Sequence, residues 1–223
     1  MPSSTPSRPR DNMQVWVLGA SMGGPQAIKR FLAKMPGGLP VCFILAQHIY
    51  SKDLPILASQ LDRCSAYRVV PLKDGTVLEP GTLVLAPVDK QIKFSPHGII
   101  TLHPSIGSSY YHPSIDGVIT CVAEHYRDRC GAIIFSGMGN DGIKGCEYLH
   151  ARNGLVWAQS KQSCVISSMP ESARETGTVS FSGNPEQLAA QLSSHLEHWL
   201  RARALQSVNS GAASSTQTGT SGA

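Results

Sequence analysis

Val15-Trp16-Val17-Leu18-Gly19-Ala20-Ser21-Met22-Gly23-Gly24-Pro25 is the stretch on which the reading of this 223-residue chain turns. Val15 to Leu18 is a short run rich in β-formers, and a glycine-rich turn follows it. From Pro25 to Met35 the apolar residues Ala27, Ile28, Phe31 and Leu32 recur on one face at helical spacing. Pro25 suits a first helical turn, where its missing N–H would have had no intrahelical partner. Next, Val41 to Ala46 is an unbroken apolar run, as expected of a strand buried on both faces. Leu54 to Leu61 reads as the helix after it.

Further along, the pattern changes and then returns. Val69 to Leu102 holds short β-like runs broken at Asp74-Gly75, Pro80-Gly81 and His97-Gly98. Within it, Ile92 to Phe94 and Ile99 to Leu102 read as a hairpin. Ser114 to His125 is helical again, Gly131 to Phe135 a strand, Ile143 to Ala151 a helix and Leu155 to Ala158 a strand. A short helix at Pro170 to Glu175 and an amphipathic one at Pro185 to Arg203 complete the series. Strands alternating with helices at both ends predict an α/β fold: a doubly wound, mostly parallel sheet with an antiparallel hairpin element inserted in the middle.

Composition bounds the rest. With 41% apolar and 15% charged residues there is ample material for a core, and no run of 18 apolar residues predicts a membrane span. Residues 1–12 are Ser-, Pro- and Arg-rich without an apolar signal segment. Residues 206–223 are almost wholly small and polar. Both ends are expected to be disordered tails, because they can bury too little to offset the entropy of ordering, and the domain is expected over 13–205. The net charge of +4 is scattered, with no basic stripe interleaved with aromatics, so no nucleic-acid partner is expected. Cys42, Cys64, Cys121, Cys130, Cys146 and Cys164 form no C-x-x-C pair and several lie in apolar runs; reduced thiols in a cytoplasmic protein are the expectation. His195 and His198 have no cysteine nearby and are read as surface histidines rather than metal ligands.

In a parallel sheet, sites form at the carboxyl ends of the strands. Three polar segments follow apolar runs there: Gly19 to Gly24, Gln47-His48, and Gly137 to Gly142. Gly19 to Gly23 matches G-x-S-x-G between a strand and a helix, the setting of a nucleophile elbow at Ser21; the helix start offers N–H groups to a developing oxyanion. A phosphate-cradling turn is the alternative. His48 could exchange the serine proton, or be a satisfied core histidine. Asp141 could orient that imidazole, or form an Asx-turn or N-cap for the helix near Ile143. A triad accounts for all three strand ends at once. Its order, Ser-His-Asp, is not that of the α/β-hydrolases.

These segments, with Ala86-Pro87, His112-Pro113-Ser114-Ile115-Asp116 and Ser163-Cys164-Val165 through Met169-Pro170-Glu171, resemble the catalytic domain of the chemotaxis protein-glutamate methylesterases, the CheB family, over about Val15 to Leu192. The resemblance implies a cytoplasmic serine hydrolase with catalytic Ser21, His48 and Asp141. It places Met22 and Met138 at the oxyanion position and needs no metal or organic cofactor. The implied substrates are glutamate γ-methyl esters on methyl-accepting chemoreceptor helices; some members also deamidate receptor glutamines. The family's phosphorylatable receiver domain has no counterpart in the dozen residues before the first strand, so the resemblance would assign control to a separate regulatory protein or leave the activity constitutive. Three positions depart from the family pattern: Met22 for a usual Thr, His112 for a usual Arg, and Ile49 to Asp53 for a Pro-Gly-Phe-Thr-like loop. Two rival readings stay open on these departures, a non-catalytic receptor-docking module and a serine esterase for a different ester.

Overall fold

The computed structural model describes residues 12–105 and 112–215. Its centre is a seven-stranded sheet built on β1 (Gln14–Ala20), with β2 (Val41–Gln47) on one side and β7 (Cys130–Ile134) on the other. Beyond β2 lie β4 (Thr82–Leu85) and β3 (Arg68–Pro71). Beyond β7 lie β8 (Leu155–Gln159) and β9 (Phe181–Gly183). Every pairing in this sheet is parallel. All seven residues of β1 are buried, as are all seven of β2. That explains their continuous apolar sequence: a central parallel strand has helices over both of its faces.

The alternation of side chains along β1 divides the core in two. Trp16, Leu18 and Ala20 pack with α1 (Gly24–Leu32), α2 (Leu54–Asp62) and α6 (Pro185–Ser215). Val15 and Val17 pack with α3 (Ile115–Tyr126), α4 (Ile143–His150), α5 (Ser168–Glu175) and the antiparallel pair β5 (Lys90–Phe94) and β6 (Ile100–Pro104). The helical face read from the sequence, Ala27, Ile28, Phe31 and Leu32, is buried in full. Phe31 meets Phe43 and Phe135 edge-on at 5.7 and 5.5 Å.

The structure refines the sequence reading in four places. The hairpin lies where expected, but the β-like runs before it are β3 and β4, which extend the main sheet in parallel. They are joined by residues 72–81 without a helix. The three-residue β9 closes the other edge and carries no periodic signal at that length. Helix α6 continues to Ser215, past the expected end of the domain, because propagating a formed helix through small residues costs far less than starting one. Residues 1–11 and 216–223 of the expected tails lie outside the described residues. Finally, His195 is not a surface residue. It is partly buried edge-on to Trp16 and Trp157, with Nε2 at 3.1 Å from Gln14 Oε1, whereas His198 is exposed.

Candidate active site

Ser21 is the first residue past β1, and the polypeptide reverses there into α1. The turn is fixed by backbone and buried side chains. Ser21 N–H donates to the Ser136 carbonyl at 3.1 Å, and the Ser21 carbonyl accepts from Gly24 N–H at 2.9 Å. Ser136 Oγ donates to the Met22 carbonyl at 2.8 Å. Both motif glycines answer to this crowding. Gly23 has φ +80°, and a Cβ there would come within 2.5 Å of Val165 Cβ and 2.7 Å of Ser136 Oγ; one at Gly19 would meet Ile115 Cγ2 at 2.7 Å. The residue after the serine, Met22, is 57% exposed.

His48 reaches the same place from the neighbouring strand. Gln47, the last residue of β2, is in register with Ala20, and His48 N–H donates to the Ala20 carbonyl at 2.9 Å. The imidazole and the carboxylate of Asp141 are joined, Nε2 to Oδ2 at 2.8 Å, with the two side chains 12% and 3% exposed. No hydrogen bond links Ser21 Oγ to His48 among the described residues. The structure therefore brings His48 and Asp141 into contact and sets Ser21 beside them on the adjacent strand end.

Asp141 lies between β7 and α4, yet it caps neither. The N-cap of α4 is Gly142, with no side-chain bond. The Asp141 carboxylate instead accepts from the first amides of α3: Ile115 N–H at 2.7 Å and Asp116 N–H at 3.0 Å. A buried carboxylate at a helix start is stabilised by those donors and by the helix dipole. Burial alone would raise its pKa. The bonds from His48, Asp116 and Ile115, together with the charge of His48, outweigh burial and hold it below 3.8. Asp116, next door, is shifted the opposite way, raised mainly by burial although Gly145 N–H bonds it at 2.7 Å.

Beside His48 opens a cleft of about 780 Å³, walled by Ile49, Tyr50, Val88, Asp89 and His112 among others. Two of the three departures from the family pattern, the 49–53 segment and His112, thus face one cavity. The third, Met22, follows Ser21 in the chain and is not among the residues that line this cleft. Met138 and Val165 are 64% and 68% exposed. Among the described residues no three potential metal-ligating side chains cluster, and no helix is long and apolar enough to cross a membrane.

The sequence reading did not assign roles to the buried polar side chains that brace the turn. Gln47 Nε2 donates to the Ser21 and His48 carbonyls at 2.9 and 3.0 Å. Ser136 N–H donates to Gln159 Oε1 at 2.8 Å. A usable signal existed: β2 and β8 each end an apolar run in a glutamine, and a buried amide there must bond to something.

The family model for the CheB methylesterase matches residues 16–192. The chain belongs to the CheB methylesterase family. A protein-glutamate methylesterase/protein-glutamine glutaminase of Pseudomonas fluorescens is 34% identical over 161 residues, covering 72% of this chain and 43% of that protein. A Moorella thermoacetica protein of the same description is 33% identical over 172 residues, 75% of this chain and 41% of its own length. The chain thus spans less than half the length of these relatives. The crystal structure of the Thermotoga maritima CheB methylesterase catalytic domain superposes with a TM-score of 0.78 at 28% identity, covering 82% of this chain and 98% of that one. The CheB match covers the strand ends carrying Ser21, His48 and Asp141.

Proposed function

We propose that this chain is a protein-glutamate methylesterase that hydrolyses glutamate γ-methyl esters through an acyl-enzyme on Ser21. The observation that carries the reading is the buried His48–Asp141 pair beside a G-x-S-x-G serine, in a chain of the CheB methylesterase family. Ser21 Oγ attacks the ester carbonyl as His48 takes its proton. Because Nε2 faces Asp141, Nδ1 is the nitrogen that relays the proton. The developing oxyanion is met by the backbone N–H groups of Met22 and Met138, which have no internal partner among the described residues. His48 then returns that proton to the departing methoxide, giving methanol; water, deprotonated by His48, attacks the acyl-enzyme, and Ser21 leaves reprotonated as glutamate is released. A bound substrate would bring Oγ and imidazole into line, since catalytic hydrogen bonds commonly tighten only in the complex. Glutamine side chains would react by the same path with ammonia as leaving group.

The partners in this reading are cytoplasmic helices of methyl-accepting chemoreceptors, and the compartment is the cytoplasm. The test is methanol release from methylated receptor membranes. Wild type should release it, and Ser21→Ala should lose on the order of 10⁴-fold or more; an unchanged rate in that variant would remove Ser21 from the mechanism. The altered cleft wall at Tyr50 and His112 favours one second reading, the same chemistry on a different ester. High turnover of small esters with no receptor demethylation would select it.

A further inference from the structure

We propose that Gln47 is a positioning residue that sets the oxyanion site, acting through the peptide that joins Ser21 to Met22; the proposal rests on Ser21 being the nucleophile. Gln47 closes β2 and is only 4% exposed. Its Oε1 is buried with no hydrogen-bond partner among the described residues. Burying an unsatisfied acceptor is unfavourable, and a methionine would fill similar space without it. The reason for an amide therefore lies in its donors, which both go to catalytic strand ends, the Ser21 carbonyl at 2.9 Å and the His48 carbonyl at 3.0 Å.

The Ser21 carbonyl is one end of a planar peptide whose other end is the Met22 N–H, pointing the opposite way. Pinning the oxygen aims the N–H. Donors on the oxygen also polarise the peptide and strengthen its N–H, because linked hydrogen bonds reinforce one another. Gly24 N–H shares the same oxygen at 2.9 Å. The amide also has space made for it: a Cβ on Gly24 would stand 2.5 Å from Gln47 Oε1. Opposite, Ser136 Oγ holds the Met22 carbonyl, so the turn is clamped from both flanking strands.

The experiment compares wild type with Gln47→Met, which keeps volume and removes both donors, and with Gln47→Glu, which turns the donor nitrogen into an oxygen facing two carbonyls. Turnover of a glutamate methyl-ester peptide and inhibition by a trifluoromethyl ketone peptide are measured per active site, counted by fluorophosphonate titration so that unfolded protein does not register. For Gln47→Met the expected kcat loss is about 10- to 100-fold, smaller than the ~10²–10³-fold for deleting an oxyanion donor outright. KM should stay within about twofold, and ketone binding should weaken by the same factor as kcat/KM. Gln47→Glu should lose at least as much. Unchanged kcat and ketone binding per site, or a change in KM alone, overturns the proposal. A wild type that turns over no ester and takes no label at Ser21 overturns the nucleophile reading itself, a distinct outcome from an active wild type matched by its Gln47 variants.

Discussion

Two histidines sit near opposite ends of the same central strands, and their settings differ in one respect that matters. At the carboxyl edge, His48 meets the carboxylate of Asp141. Toward the amino edge, His195 meets the amide oxygen of Gln14, in a box formed by Trp16 and Trp157, with Trp16 Nε1 donating to that same oxygen at 2.9 Å. A carboxylate partner compensates an imidazolium and fixes its tautomer, so the ring can take and return a proton. An amide partner satisfies one N–H without offering compensating charge. Burial then lowers the His195 pKa, with His198 adding a smaller push the same way. The ring at that end is packed between tryptophans, whereas the proposed mechanism gives the ring at the other end the proton transfer.

The sharpest way to break the contrast is to remove each ring. His48→Gln should cut ester turnover by on the order of 10⁴-fold or more with the fold intact, read by steady-state kinetics and circular dichroism. Asp141→Asn should cost about 10⁴-fold. It should also destabilise by roughly 1–3 kcal/mol, since the new NH₂ or the lost charge faces the Ile115 and Asp116 amides. His195→Leu should leave kcat within about twofold while lowering stability by about 1–2 kcal/mol in urea melts. A His195 variant with impaired turnover and unchanged stability would reverse the assignment of the two ends.

The subtlest difference is in pH. Because His195 titrates below 6.5 in the folded protein, the unfolded chain binds more protons just below that value. Stability should therefore fall as pH drops through 6.5 toward the folded pKa, and level off beneath it. His125, lowered by burial and by Arg129, adds to the same slope. Asp141, held below 3.8, contributes stability that is present above 3.8 and lost only as pH falls through its folded value. Denaturation between about pH 7 and 5 should thus show a shallower slope in His195→Leu. An identical slope would show that the ring is not held neutral by its box.

The same two ends show what could be read without coordinates. Val15 to Pro25 announced strand, turn and helix because burial on both faces, a glycine-dense turn and helical spacing are all local features. The positions of Ser21, His48 and Asp141 at neighbouring strand ends were legible because each follows an apolar run; their proposed catalytic roles await the kinetic tests above. That Asp141 would anchor on the start of α3 was not legible, since Ile115 is 26 residues away and nothing near Asp141 points to it. His195 was misread for the same reason: its neighbours Ser194, Glu197 and His198 are polar, and the Trp box comes from distant strands. Short β3, β4 and β9 gave too few residues for a period, so their place in the main sheet had to come from pairing.

The most direct test of the account is the rate of fluorophosphonate labelling at Ser21, located by peptide mass spectrometry, in wild type, His48→Gln and His195→Leu. A single adduct on Ser21 is expected, formed at the wild-type rate in His195→Leu and slowed at least about 10³-fold in His48→Gln. Labelling elsewhere, or at an equal rate in His48→Gln, would contradict it.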